Sequence, residues 1–349
     1  MEKTLVILTP GFPENEADST CLPAQQIFIK ALKNNFPSIQ LLVLSFQYPF
    51  NKTPYFWHGI RVIPFNGRNK GKFYRLRLWL RVFKALKKIR TDNNVIGLFS
   101  FWCTECALVG TYFGKYSGLK HKCWISGQDA GKGNRYVFFI RPKPGELVAM
   151  SEFLAKEFYK NHFVLPRYII HNGIDPSQFR DPPVIRDIDI VAAGSLITLK
   201  QYEIFIDIIK ELKIGMPEIK TMICGKGPEE NNLRAQIKKG RLEDTISLAG
   251  EKPHGEILQI MQRSKLFLHP SSYEGFSSVC LEALYAGAHV ISFWSPETGK
   301  IKHWHIVSSK KEMLNKAREI LQSSDTEYAP VLASSMPDSA KAVMKLFID

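Results

Sequence analysis

The sequence predicts an α/β protein built from two doubly wound domains. Short runs rich in branched and aliphatic residues recur along the chain and stop at small or polar residues, as buried parallel strands do at the ligand edge of such a sheet. The segments between them are long enough for crossover helices. The alternation also restarts once, after the turn-rich "YIIHNGIDPSQFRDPPVIRD", and 349 residues are enough for two cores of ordinary size.

Taken in order, "KTLVILTPG" is a strand halted at Pro-Gly, and "PAQQIFIKALKNN" has helical spacing at Ile27, Ala31 and Leu32. "IQLLVLSF", "VIGLFSF", "KCWIS" and "ELVAMS" read as the further strands of the first half. The second half opens on "IDIVAAGSL", a strand with a glycine turn, and continues with "IKTMICGKG", "TISLAG", "KLFLHPSS" and "AHVISF". These patterns bound a first domain at residues 1–170, a linker at 171–186, a second domain at 187–325 and a terminal segment at 326–349 that ends in the helix "DSAKAVMKLFI".

Composition narrows the class. Hydrophobic residues at 45% and charged ones at 23% describe an ordinary globular chain. The apolar run at the N-terminus is too short for a signal peptide or anchor, and six scattered cysteines point to reduced thiols and a cytoplasmic setting. The pair in "FWCTEC", Cys103 and Cys106, reads as buried thiols, since a zinc or redox site needs a matching partner pair. The net charge of +14 is unevenly placed: residues 1–170 hold 25 Lys and Arg against 10 Asp and Glu, the rest 22 against 23. All the excess lies in the first half, so the two halves are expected to meet different partners.

The stretch "HPSSYEGFSSVCLEALYAGAHVISF" carries two carboxylates, Glu274 and Glu282, eight residues apart. It reads as a strand, a loop holding Glu274, and a helix from near Ser277 with Glu282 one and a half turns in. A helix N-terminus after a small-residue loop suits a phosphate, and carboxylates accept hydrogen bonds from sugar hydroxyls beside it. Taken singly, each Glu is equally at home as a capping or solvated carboxylate.

Taken together these residues resemble the nucleotide-sugar site of retaining glycosyltransferases of family four, which have the GT-B architecture of two Rossmann-like domains facing across a cleft. The Glu-Gly-Phe and following Glu-Ala pattern is met by Glu274, Gly275, Phe276, Glu282 and Ala283, and "GSLITLK", "CGKGPE" and "HNGIDPSQF" follow the family's order. "LVAMSEFLAKEF" looks like the last strand and helix of the first domain. The resemblance spans most of residues 145–295; the first 140 residues match in outline.

The resemblance implies that Glu282 holds the nucleotide ribose and Glu274 the donor sugar. Phe276, Ser277 and Ser278, beside Gly275, would cradle sugar and diphosphate with their amides. Lys200 falls where the family places a lysine on the diphosphate, and a cation there stabilises the charge of the departing group. Gly194 and Gly225 lie at the ends of two strands facing the donor. Ser195 stands where the family usually has an arginine, which leaves less positive charge for the diphosphate. The implied donor is a UDP- or GDP-sugar, with no cofactor and no metal required. "RDIDIV" imitates an Asp-x-Asp metal site through Asp187 and Asp189, but these begin a strand and belong at its opposite end.

On the acceptor side, Trp102 in "FSFWCTEC" ends a strand that lines the family's cleft, although core packing is its ordinary role. Gln128 and Asp129 occupy the segment where many relatives carry a histidine near the reacting centre; Asp129 is also a natural turn cap. Glu297 is what remains of a Gly-Gly-x-x-Glu pattern. The final helix is expected to pack back towards the first domain, as in relatives.

Residues 66–90 hold ten Lys or Arg and no acid. On a helix Arg77, Arg81, Lys84 and Lys88 form one stripe, and Leu76, Trp79, Leu80, Phe83 and Leu86 a broad apolar face. One reading buries that face and leaves the stripe in water. The other places the stripe on an anionic membrane surface at the inner face of the cell membrane. The expected activity is retaining transfer of a sugar to a glycan or lipid-linked acceptor in cell-surface polysaccharide or lipopolysaccharide synthesis. The alternatives are a sugar-nucleotide epimerase or phosphorylase on the same fold and a non-enzymatic basic membrane-binding protein. Nucleic acid is not an expected partner, because no binding motif accompanies the charge.

Overall fold

The computed structural model describes residues 2–71, 73–180, 185–294 and 299–348, and the chain forms two compact units, residues 1–172 with 336–349 and residues 173–335. The stretch read as a linker lies partly outside the described residues. Its start, from Gly173, belongs to the second unit, where Ile174 is buried and pairs with Ser335. Residues 326–335 also stay with the second unit, and only the last helix joins the first.

The first unit contains β1 (Lys3–Gly11), α1 (Pro23–Asn35), β2 (Ile39–Tyr48), β3 (Tyr55–Trp57), β4 (Ile60–Pro64), α2 (Phe73–Asp92), β5 (Asn94–Phe101), α3 (Glu105–Ser117) and β6 (His121–Ile125). α4 (Arg135–Ile140), β7 (Leu147–Ala149), α5 (Glu152–His162) and β8 (Tyr168–Ile169) complete its sheet, ordered β3-β4-β2-β1-β5-β6-β7-β8. Every pairing is parallel except β3 with β4. The period of two along β1 divides the core. Leu5 and Ile7 pack on the α1 side, and Val6 and Leu8 on the side of α2 and α3. On α2 the residues that bury are Leu78, Val82, Leu86 and Ile89.

This corrects the apolar face expected of that helix. Leu76 and Leu80 are 51% and 56% exposed, and Trp79 and Phe83 sit on the flank against rings of Tyr136 and Phe113. Apolar residues cover so much of the helix that periodicity alone could not choose the line facing the sheet.

The second unit contains β9 (Ile188–Ala193), α6 (Tyr202–Gly215), β10 (Thr221–Cys224), α7 (Glu230–Lys239), β11 (Ile246–Gly250), α8 (His254–Gln262), β12 (Ser264–His269), α9 (Ser278–Tyr285), β13 (His289–Ser292), β14 (Trp304–Ile306) and α10 (Lys310–Gln322). Its sheet runs β11-β10-β9-β12-β13-β14, all parallel. Ile190 and Ala192 face α6, α7 and α10, while Val191 and Ala193 face α8 and α9. Because the order reverses between β9 and β12, their carboxyl ends form the topological switch point at which such sheets bind ligands. In the first unit the same point lies between β1 and β5.

The last helix, α11 (Met336–Ile348), completes the first unit by burying Met336, Ala340, Val343, Met344 and Phe347 beside α1. Gly97 on β5 lacks the Cβ that would collide with the Phe347 ring.

Candidate functional site

At the switch point of the second unit the backbone is drawn tight by glycine. Gly194 after β9 and Gly225 after β10 have φ of +145° and +149°, values that L side chains rarely adopt. A Cβ on Gly225 would clash with Gly194 O, and one on Gly227 with Leu196 O. The two loops are zipped by Gly194 N to Cys224 O and Leu196 N to Lys226 O, each 3.0 Å. Ser195 is exposed on the outside of this turn.

The glycine turn delivers Lys200, in a short 3-10 turn before α6, to Glu274 in the loop after β12. Lys200 Nζ bonds Glu274 Oε1, and Ser272 N donates to Leu199 O at 3.0 Å, holding the two loops together. His269, the last residue of β12, puts Nε2 2.8 Å from the same Glu274 oxygen. Because an ionised carboxylate only accepts, Nε2 carries the proton. Burial lowers the pKa of His269, and a neutral ring is what its sealed position favours. For Glu274 burial alone acts upwards, but the hydrogen bond and charge at His269 and the Lys200 cation outweigh it and hold the carboxyl at about 2. Tyr202, buried on α6 beside the Gly194 turn, is raised by burial and by the Glu274 charge. Ser277, at the N-cap of α9, places Oγ 3.3 Å from His269 Nε2. The cluster therefore offers a cation, an ionised carboxylate and the positive end of a helix at one sheet edge.

Glu282, on α9, is held by His254 at the first turn of α8, Nε2 to Oε1 2.8 Å. Burial pushes His254 down, but the Glu282 hydrogen bond and charge prevail and raise it. Neither His254 nor His269 was singled out from the sequence. The only signal for His269 was its place at the end of a strand entering the glutamate loop.

In the first unit, Trp102 follows β5 at the switch point with φ of +64°. The left-handed region is costly for a bulky residue, and the half-buried Trp102 ring packs against the core of this unit beside Phe101. Gln128 is exposed after β6, whereas Asp129 corrects the expectation of an acceptor contact. Its carboxylate is turned inwards, 1% exposed, and takes the Ser126 amide at 2.7 Å. Burial raises its pKa to about 6. On α2, Arg77, Arg81, Lys84 and Lys88 are all exposed, although Arg81 also donates to Phe65 O at 3.2 Å.

The remaining candidates are structural in character. All six cysteines are free, and Cys103 and Cys106 are buried. Asp187 is bonded by Arg263, and Asp189 by Lys265 and the Lys220 amide, at the opposite end of β9 from the glycine turn. Glu297 lies outside the described residues. Among the described residues no helix is long and apolar enough to cross a membrane.

Comparison with known proteins gives a partial family match and a shared fold. Residues 177–320 match the family of glycosyl transferases group 1. The gpi3 subunit of phosphatidylinositol N-acetylglucosaminyltransferase from Schizosaccharomyces pombe is 24% identical over 214 residues, 58% of this chain and 47% of that protein. The chain spans less than half the length of this and the human relative, where coverage is 26%. Among solved structures, Anabaena HepE in complex with UDP and glucose superposes with a TM-score of 0.70 at 16% identity, over 100% of this chain and 96% of its own. WaaG, a glycosyltransferase involved in lipopolysaccharide biosynthesis, superposes at 0.66 and 15% identity, over 98% and 96%. The chain therefore has the GT-B fold, and its residues 177–320 are similar to the group 1 glycosyl transferases.

Proposed function

We propose that this protein is a retaining glycosyltransferase that moves a sugar from a UDP- or GDP-sugar, held on the second unit, to a glycan or lipid-linked acceptor bound by the first. The observation that supports it most is the convergence of Lys200 and His269 on one carboxylate oxygen of Glu274 at the β9–β12 switch point, inside the matched segment.

In this reading Lys200 and the N-terminus of α9 take the diphosphate and stabilise its charge as the glycosidic C–O bond breaks. The acceptor oxygen forms its bond to the anomeric carbon on the same face. Its proton passes to the departing phosphate oxygen, so no separate protein base is needed. Glu274 holds donor hydroxyls and Glu282 the ribose; Gly275, Phe276, Ser277 and Ser278 line the sugar and diphosphate. No metal enters the scheme, because cation and helix dipole already supply the positive charge. Trp102 and Gln128 stand on the acceptor unit, and the basic stripe of α2 meets an anionic membrane on its cytoplasmic side during cell-surface polysaccharide or lipopolysaccharide synthesis.

The experiment is a thermal-shift screen of purified protein against UDP- and GDP-sugars, followed by transfer and hydrolysis assays with the best binder. Ligand binding to the native state raises its apparent stability. Product with the α-configured donor's stereochemistry supports the reading; no stabilisation by any nucleotide sugar, or an epimerised donor as sole product, counts against it.

A further inference from the structure

We infer that the first unit binds a single-chain lipid phosphate in a pocket between α2, α3 and α4. The inference rests on reading that unit as the acceptor unit, and it names the acceptor class. The cavity has a volume of about 620 Å³, within the range of small-molecule sites. Trp79, Leu80, Phe83, Tyr112 and Phe139 supply its apolar wall, and among the described residues Arg75 and Arg135 are the charged ones lining it. Leu80, Tyr112 and Phe139 are each more than half exposed, an arrangement that marks a binding surface when such groups are contiguous.

The charges and the apolar groups are sorted along the pocket. Arg75 lies in the first turn of α2, Arg135 opens α4, and Phe83 and Phe139 lie farther along the same two helices. Both helices, like α3, begin near the carboxyl edge of the sheet, where Trp102 sits. An amphiphile would thus place its head at the ligand edge and its chain along the helices.

Arg75 has donor capacity in hand. One Nη reaches Tyr136 Oη at 3.2 Å, while Nε is buried without a hydrogen-bond partner among the described residues, 4.0 Å from Glu105 Oε2. Glu105 is itself engaged by Gln47 and, at 3.1 Å, by the Trp79 indole N–H. Two guanidinium forks at one end of an apolar cavity match a phosphate monoester or diphosphate bearing a hydrocarbon tail. A peptide would bring backbone N–H and C=O groups that this wall cannot satisfy, whereas a hydrocarbon chain brings none.

The test is titration of the full chain with farnesyl phosphate below its micellar concentration, read by tryptophan fluorescence, with Trp79→Phe identifying the pocket signal. Farnesol and inorganic phosphate are titrated alongside. Expected are saturable binding of farnesyl phosphate, binding of farnesol weaker by about tenfold or more, and no competition by millimolar inorganic phosphate. Arg135→Gln should weaken farnesyl phosphate and leave farnesol unchanged. The double variant Leu80→Asp with Phe139→Asp, at two exposed positions the core does not need, should abolish both. Unchanged binding in the double variant, equal affinity for farnesol and farnesyl phosphate, or binding only to intact vesicles overturns the inference. Stabilisation by UDP or GDP in the same samples reports on the second unit, so failure of the donor reading is seen separately.

Discussion

His269 Nε2 and Glu274 Oε1 stand 2.8 Å apart, and Lys200 bonds the same oxygen. Both partners take the same oxygen, which ties the loop after β12 to the strand end and to the glycine turn after β9.

Glu274→Ala should remove most transfer activity while leaving free nucleoside diphosphate binding nearly intact. His269→Ala should lower kcat/KM by about tenfold or more, the scale of a hydrogen bond to a charged group, and His269→Gln should recover part of it by restoring a donor. Near-normal turnover in Glu274→Ala sinks the donor-sugar assignment.

Glu282 should behave differently, because a ribose contact is shared by the free nucleotide and the nucleotide sugar. Glu282→Ala is expected to weaken both by a similar factor, measured by calorimetry. His254→Ala, which removes its partner at 2.8 Å, should have a smaller effect in the same direction. Selective loss of the nucleotide sugar alone would contradict a ribose role.

Transfer should survive saturating EDTA, since Lys200 and the α9 N-terminus are proposed to carry the diphosphate charge. Complete loss restored by Mg²⁺ or Mn²⁺ would instead return attention to a metal-dependent scheme.

Stability should fall on mild acidification. Burial lowers His121 to about 3 and His305 to about 4 from an ordinary value of 6.5. Between those values and 6.5 the unfolded chain binds more protons, so stability is lost as pH drops below about 6.5. For fully buried His121 the slope is up to about 1.4 kcal/mol per pH unit. Asp129, raised to about 6 by burial from 3.8, acts oppositely in that window and is outweighed by the two histidines. Melting temperatures from pH 7.5 to 5 should therefore decline, and His121→Gln, whatever its absolute stability, should flatten the slope. A flat wild-type profile would show that these rings protonate without unfolding.

The protein should sediment with anionic but not neutral vesicles, with high salt reversing it. Each exposed cation on the α2 stripe contributes about 1 kcal/mol near such a surface, and changing Arg77, Arg81, Lys84 and Lys88 to Gln should abolish binding. Equal sedimentation with neutral vesicles would leave the stripe a solvated face.

The sequence by itself determined the two α/β sheets, because buried parallel strands are continuous apolar runs that stop at small residues, as β1, β9 and β12 do. The resemblance to family four, rather than periodicity, singled out Glu274, Glu282, Lys200 and the two glycine turns as site candidates. Short edge elements such as β3, β8 and β14 escaped, being too brief to carry a period.

Only the tertiary structure decided which groups act together. Lys200 and Glu274 are 74 residues apart, and His254 and Glu282 are 28 apart; no local pattern pairs them. Asp129 turned inwards because a backbone amide claimed its carboxylate, which decided between the turn cap and the acceptor contact that the sequence left open. The buried line on α2 was likewise chosen by the sheet beneath it rather than by the helix. The pocket of Arg75, Arg135 and their aromatic neighbours exists because three helices begin near the same sheet edge. Periodicity reports how one segment can fold, whereas partners, tautomers and cavities follow from where distant segments meet.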